Sequence, residues 1–94
     1  MAIKSFRHKG LREFFEADSS RGIRADHAKR LRRALTILNT AATVEDMKAI
    51  PGWRLHRLTG DLRGFWSISV TGNWRLIFRF AAGDAFDLDL VDYH

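Results

Sequence analysis

The hydrophobic pattern changes its period at Pro51. Before it, apolar residues recur at helical spacing; after it, they alternate. In "HKGLREFFEADSS", Leu11, Phe14 and Phe15 fall on one helical face, with Arg12, Glu13 and Glu16 opposite. Ser19, Ser20 and Gly22 interrupt the pattern. The longest stripe lies in "ADHAKRLRRALTILNTA", where Ala28, Leu31, Leu35 and Leu38 share a face. Thr43, with Asp46 three residues on, marks the start of a short helix that Pro51-Gly52 stops. His8 and His27 are read as solvated helix residues. The opening "AIKSF" reads as a short edge strand.

Beyond Pro51, three alternating runs predict strands: Phe65 to Val70, Trp74 to Phe80, and Phe86 to Val91. "WRLHRL" predicts an earlier strand, joined through the Gly60–Gly64 loop. Alternation fixes register, because a slip of one residue turns every apolar side chain to the wrong face. Three-residue loops at Thr71-Gly72-Asn73 and Ala82-Gly83-Asp84 keep the faces pure; a two-residue loop at the second turn sets Phe78 against Asp87. On these registers Trp66, Ile68, Val70, Trp74, Leu76, Phe78, Phe80, Phe86, Leu88 and Leu90 form one apolar face. The other face collects Ser67, Ser69, Arg75, Ile77, Arg79, Asp87, Asp89, Val91 and Tyr93. Arg79 then opposes Asp87. Arg75 opposes Val91 and lies diagonal to Asp89 and Tyr93. His56 can reach the same place, although its register is not fixed by pattern. The predicted architecture is α+β: two N-terminal helices packed on one face of a small, mainly antiparallel β-sheet, in a single domain spanning 1–94.

Charge changes this picture in one way. The 94 residues carry a formal net charge of +5. Residues 1–50 hold eleven Lys/Arg against six Asp/Glu; residues 51–94 hold five against five. The excess therefore sits with the helices, above all at Arg21, Arg24, Lys29, Arg30, Arg32 and Arg33. Such a face suits the phosphates of RNA, an acidic protein partner, or plain solvation, and charge alone does not choose among them. The chain has no cysteine, which excludes disulfide and thiolate chemistry. No apolar run nears the roughly 18 residues of a membrane span, and the start lacks a signal-peptide core. A cytoplasmic protein without membrane contact is expected.

Candidate chemistry gathers at "LVDYH". Asp92, Tyr93 and His94, with Arg75 and His56, supply what RNA phosphodiester cleavage requires. That reaction needs a base for the 2′-OH, an acid for the leaving 5′-oxygen and a cation at the phosphate. From residue chemistry alone, an ordinary polar C-terminus remains the competing explanation. Trp53, Trp66 and Trp74 read as core rather than base-stacking groups. No P-loop or dinucleotide glycine pattern appears, and no histidine pair has metal-ligand spacing, so neither cofactor nor metal is expected.

The segments "IKSFRHKGLREFFE", "HAKRLRRALTILNTA" and "LHRLTGDLRGFWSISVTGNWRLIFRF", with the closing "DYH", resemble HigB-type toxins of the RelE/ParE superfamily over nearly the whole chain. The resemblance implies a RelE-like fold and a bacterial toxin of a type II toxin–antitoxin system. The implied activity is ribosome-dependent cleavage of translated mRNA by 2′-OH attack. The implied partners are the ribosome, mRNA and a cognate helix-turn-helix, HigA-like antitoxin, with the toxin itself monomeric. Carried over by position, the implied catalytic residues are His56 in "LHRL", Arg75 in "NWR", and Asp92, Tyr93 and His94. Arg24, Lys29, Arg30, Arg32, Arg33, Arg57 and Arg63 are the candidates for RNA or ribosome binding. Family members often carry Lys three residues after the histidine; here that position is Thr59, and Arg63 is the nearest substitute in the loop. A competing class is a ParE-like inhibitor that binds a protein such as DNA gyrase and cleaves nothing.

Overall fold

The computed structural model describes residues 2–92. Three helices precede the sheet: α1 (Lys9–Ala17), α2 (Ala25–Thr40) and α3 (Val44–Lys48). They are followed by β1 (His56–Arg57), a single 3-10 turn (Gly60–Leu62), β2 (Phe65–Thr71), β3 (Trp74–Ala81) and β4 (Asp84–Asp92). The four strands pair antiparallel in the order β1-β2-β3-β4. The opening segment adds a parallel edge beyond β4 through bridges Ile3–Ala85 and Phe6–Leu88. The helices cover one face, where Leu11, Phe14, Leu31, Leu35, Leu38 and Met47 meet Ile68, Leu76, Phe78 and Leu88.

Helix starts follow local chemistry, and one of them corrects an expectation. His8 is not a solvated helix residue but the cap of α1: its Nδ1 accepts from the Leu11 N–H at 3.0 Å. Thr43 and Asp46 form a reciprocal capping box at α3, as the sequence predicts. The chain between α1 and α2 crosses the start of α1 glycine on glycine. A Cβ at Gly10 would stand 2.8 Å from the Gly22 carbonyl oxygen, so only hydrogen fits there.

His27 also departs from expectation, because it is 0% exposed. It completes the buried stripe His27, Leu31, Ala34, Leu35, Leu38, while Ala28 lies half-buried beside it. The imidazole meets Trp74 edge-on, with ring centroids 5.2 Å apart. Among the described residues neither ring nitrogen has a hydrogen-bond partner.

Both hairpins reach the predicted central register by a different route. Ile68 opposes Leu76, Trp66 opposes Phe78, and Leu76 opposes Leu90. The loops, however, hold two residues, Gly72-Asn73 and Ala82-Gly83, and the extra residue sits in a bulge within the ladder. Pairing shifts between Ser69 and Thr71, around Val70, and again opposite Asp87. Asp87 takes φ 55°, a left-handed conformation that Asp tolerates better than most residues. Two-residue turns match the twist of the strands, and Gly72 and Gly83 supply positive φ there. The consequence is local. Ala85 rather than Phe86 is buried in the core, and Arg79 registers with Phe86 instead of Asp87. The Arg79–Asp87 ion pair still forms, at 3.4 Å.

Two further expectations are revised. The strand expected over "WRLHRL" keeps only His56–Arg57, because Arg54 turns left-handed at φ 50° and breaks the run. Pairing to β2 survives on either side, where Ser69 N–H donates to Trp53 O at 2.7 Å and Leu58 N–H donates to Phe65 O at 2.9 Å. The second sheet face is not a plain polar surface either. Ile77 and Ser67 are each 1% exposed there, and Leu58 and Phe65 pack with Ile77 in a small second core flanked by Leu62 and Val91.

Candidate functional site

Strand register decides which candidate side chains share a face. His56 opposes Ser67, Ser67 opposes Ile77, and Ile77 opposes Asp89. Two residues along, Ser69 opposes Arg75 and Arg75 opposes Val91. Side chains two apart on a strand point the same way, so His56, Arg75 and Asp89 rise from one face. Two strand spacings and two residue rises separate the Cα atoms of His56 and Arg75 by about 12 Å.

Each of these two side chains is held by a carbonyl. His56 Nδ1 lies 2.9 Å from the Arg54 carbonyl oxygen. A carbonyl can only accept, so Nδ1 carries the proton and Nε2 is left for proton transfer. The left-handed turn at Arg54 is what aims that carbonyl at the ring. Arg75 Nη1 donates to Gly72 O at 2.7 Å and to Trp74 O at 3.1 Å. Both bonds use Nη1 and hold the guanidinium over the turn. Among the described residues the Nε–Nη2 edge makes no hydrogen bond, and such an edge can take a phosphate in bidentate fashion.

Asp92 lies beside this pair but on the other side of the strand. It opposes Trp74, one step from the Arg75–Val91 pair, so alternation directs it toward the Trp74 face. Tyr93 and His94 lie outside the described residues. The ladder runs as far as Asp92, one residue from Tyr93.

The basic residues of α2 divide by what holds them. Arg24 makes a two-point ion pair with Asp26, both bonds at 3.1 Å, and lies over the Trp74 ring at 5.9 Å. The hydrogen bonds and charge of Arg24 hold the Asp26 carboxyl below its ordinary value. Arg32 pairs with Asp18 and lies over the Phe14 ring at 4.8 Å. Arg30 Nη1 donates at 2.8 Å to the carbonyl of Val70, the bulge residue. Lys29 and Arg33 stand exposed. Arg30 and Arg33 border a small cleft of about 270 Å³ with Trp53 and Pro51. Arg57 stacks on Trp66 at 5.0 Å, and with Arg63 it lines a larger, separate cleft. Among the described residues no group of three or more His, Asp or Glu is placed to hold a metal ion. No helix among them is long and apolar enough to cross a membrane.

Comparison with known proteins decides the family. A family model described as the RelE-like toxin of type II toxin–antitoxin system HigB matches residues 4–94. The chain belongs to the HigB-like toxins. A curated relative, Endoribonuclease HigB of Proteus vulgaris, is 41% identical over 92 residues, covering 98% of this chain and 99% of its own. Toxin HigB-1 of Vibrio cholerae is 38% identical over 88 residues, covering 93% of this chain and 92% of its own. Solved structures agree on the fold. A variant of YafQ from E. coli superposes with a TM-score of 0.61 at 15% identity, over 96% of this chain and 90% of its own. The YoeB/ParE toxin from Agrobacterium tumefaciens gives 0.57 at 14% identity, over 100% and 99%. The HigB-like toxin fold is therefore the α+β arrangement described above, with helices on one face of an antiparallel sheet.

Proposed function

We propose that this HigB-like toxin is an endoribonuclease that cuts translated mRNA on the ribosome. The observation that carries the proposal is the pairing of His56 and Arg75 on one sheet face, each pre-oriented by a backbone carbonyl. A relative 41% identical along nearly its full length is named an endoribonuclease, which supports the same chemistry here.

In the proposed reaction a base takes the 2′-OH proton, and the 2′-oxygen attacks the adjacent phosphorus. The P–O5′ bond breaks, and an acid protonates the departing 5′-oxygen. His56 Nε2 and His94 are the proton-transfer groups. Tyr93 positions the ribose and the imidazoles, and Asp92, directed to the Trp74 face, acts indirectly by holding the end of β4 ahead of Tyr93 and His94. The free edge of Arg75 neutralises the phosphate as charge builds on its oxygens. Thr59 stands where relatives often have Lys, so Arg75 carries most of the phosphate charge. No metal or organic cofactor takes part. The ribosome presents the mRNA, and a cognate antitoxin of the helix-turn-helix, HigA-like kind restrains the toxin in the cytoplasm. Alone, the toxin acts as a monomer and a single domain.

The test is primer extension on translated mRNA after induction of the toxin. Cuts within codons are expected, absent in Arg75→Ala and in His94→Ala. Supercoiling inhibition without any cut would instead place the chain with inhibitors of the ParE kind.

A further inference from the structure

A cleft of about 930 Å³ opens at the end of the sheet away from Arg75. Four arginines reach it: Arg7 from the opening segment, Arg57 from β1, Arg63 from the loop before β2, and Arg79 from β3. Trp66 and Phe80 line it as well, both half-buried. Asp87 is its one carboxylate among the described residues. From this cleft we infer a second RNA-binding site, which holds single-stranded nucleotides flanking the cleaved bond. The inference rests on the RNA-cleaving function proposed above and adds a substrate path to it.

Charge and geometry both point to a polyanion with flat faces. With Arg79 paired to Asp87, three guanidinium groups remain without a carboxylate among the described residues, and an anion of several charges can bridge them. Two of the four are stacked on rings, Arg7 over Phe65 at 5.6 Å and Arg57 over Trp66 at 5.0 Å. A stacked guanidinium keeps its N–H edge turned outward and in place, the form that binds phosphate best. Half-buried Phe80 interleaves with those charges, and it and the flat guanidinium stacked on Trp66 offer surfaces on which bases can stack, as single-strand-binding grooves do. An acidic peptide would use the charges but has no need of the rings.

Continuity with the His56–Arg75 face favours the substrate strand over unrelated RNA. Arg75, Ile77 and Arg79 lie on one side of β3, and Phe65, Ser67 and Ser69 oppose them on β2. Four residues of β3 put Arg79 about 13 Å from Arg75. His56 and Arg57 are neighbours on β1, one on each side of the strand. A strand leaving the His56–Arg75 face crosses the Leu58, Phe65 and Ile77 cluster to reach Arg79 at the near wall of the cleft, while Arg57, Trp66 and Phe80 form its far wall on the other side of the sheet.

The test is binding of a ten-nucleotide single-stranded RNA, 2′-O-methylated throughout so that it cannot be cut, followed by fluorescence anisotropy. The double variant Arg7→Gln/Arg79→Gln should weaken Kd at least tenfold. The slope of log Kd against log salt should fall by about 1.4, from about 0.7 for each lost phosphate contact. Asp87→Asn keeps the left-handed bulge and should tighten binding about threefold, a gain that misfolding cannot mimic. Unchanged affinity in the double variant, with its melting curve intact, overturns the inference. So does a decaglutamate peptide that binds as well as the RNA and loses the same factor, which would assign the cleft to an acidic protein segment. Because the RNA cannot be cut, this result is independent of catalysis. If Arg75→Ala abolishes cleavage yet the double variant binds RNA like wild type, the cleft assignment alone fails. If translated mRNA stays intact while the double variant loses RNA affinity, the cleft stands and the nuclease function fails.

Discussion

Replacing Gly10 with alanine should destabilise the protein, although the helix itself favours the change. Gly10 is the second residue of α1 and has no positive φ, so Ala would ordinarily gain about 1 kcal/mol in helix propensity. The tertiary structure opposes this. The new Cβ would sit 2.8 Å from the Gly22 carbonyl oxygen and 2.8 Å from His8 Cε1. The imidazole can swing away, but doing so gives up the cap on Leu11, worth about 1 kcal/mol. The Gly22 carbonyl is backbone and must move, with the loop that feeds α2; forced shifts of this kind cost about 1–3 kcal/mol. Set against the propensity gain, the net loss is about 1–3 kcal/mol. For a domain of this size each kcal/mol lowers Tm by roughly 4–8 °C. Thermal unfolding followed by circular dichroism should therefore show a fall of at least about 4 °C. An unchanged or raised Tm would mean that the two glycines do not touch and that the account of the α1–α2 crossing is wrong.

Three further outcomes are expected. His27→Leu removes a buried imidazole whose two nitrogens lack partners among the described residues, each costing about 1–3 kcal/mol, and gives up an edge-on contact with Trp74 worth about 0.5–1.5 kcal/mol. Tm should rise by several degrees in a melting scan, and a fall would show that the imidazole is hydrogen-bonded. Asp18→Asn keeps the left-handed end of α1 and breaks an ion pair whose partners are more than half exposed, so chemical denaturation should shift by under about 1 kcal/mol. Lys29→Glu/Arg33→Glu reverses two exposed charges on α2. Co-sedimentation with ribosomes should weaken, and the difference from wild type should depend on salt; a salt-independent loss of antitoxin binding would make this face a protein interface instead.

How much the sequence discloses depends on whether a feature is periodic or long-range. The stripe Leu31, Leu35, Leu38 and the alternation in β2 and β3 identify the elements directly, because each side chain's face follows from its own position. Alternation also carries the parity of each hairpin. One extra residue is needed between Ile68–Leu76 and the first turn's tip and between Leu76–Leu90 and the second, but nothing local says whether it lies in the loop or in a bulge. Val70 and Asp87 hold it, and no glycine marks either position. His27 was hidden by residue type, since its spacing to Leu31, Ala34 and Leu38 is that of a core position. His56 and Arg75 are visible as chemistry, while their shared face is fixed by a β1–β2 register that the broken strand at Arg54 obscures. Arg7 and Phe65 meet across the chain, and no pattern in either neighbourhood announces the cleft they help to form.

The proposed nuclease chemistry belongs to the sheet face bearing His56 and Arg75. The direct measurement is primer extension on a translated mRNA in cells expressing wild type, Arg75→Ala or His56→Ala. Each variant should first be shown to melt like wild type. Discrete cuts within codons for wild type, lost in Arg75→Ala and reduced at least tenfold in His56→Ala, is the predicted result. Cuts at full intensity in both variants would contradict the account, because the chemistry would then lie elsewhere on the protein.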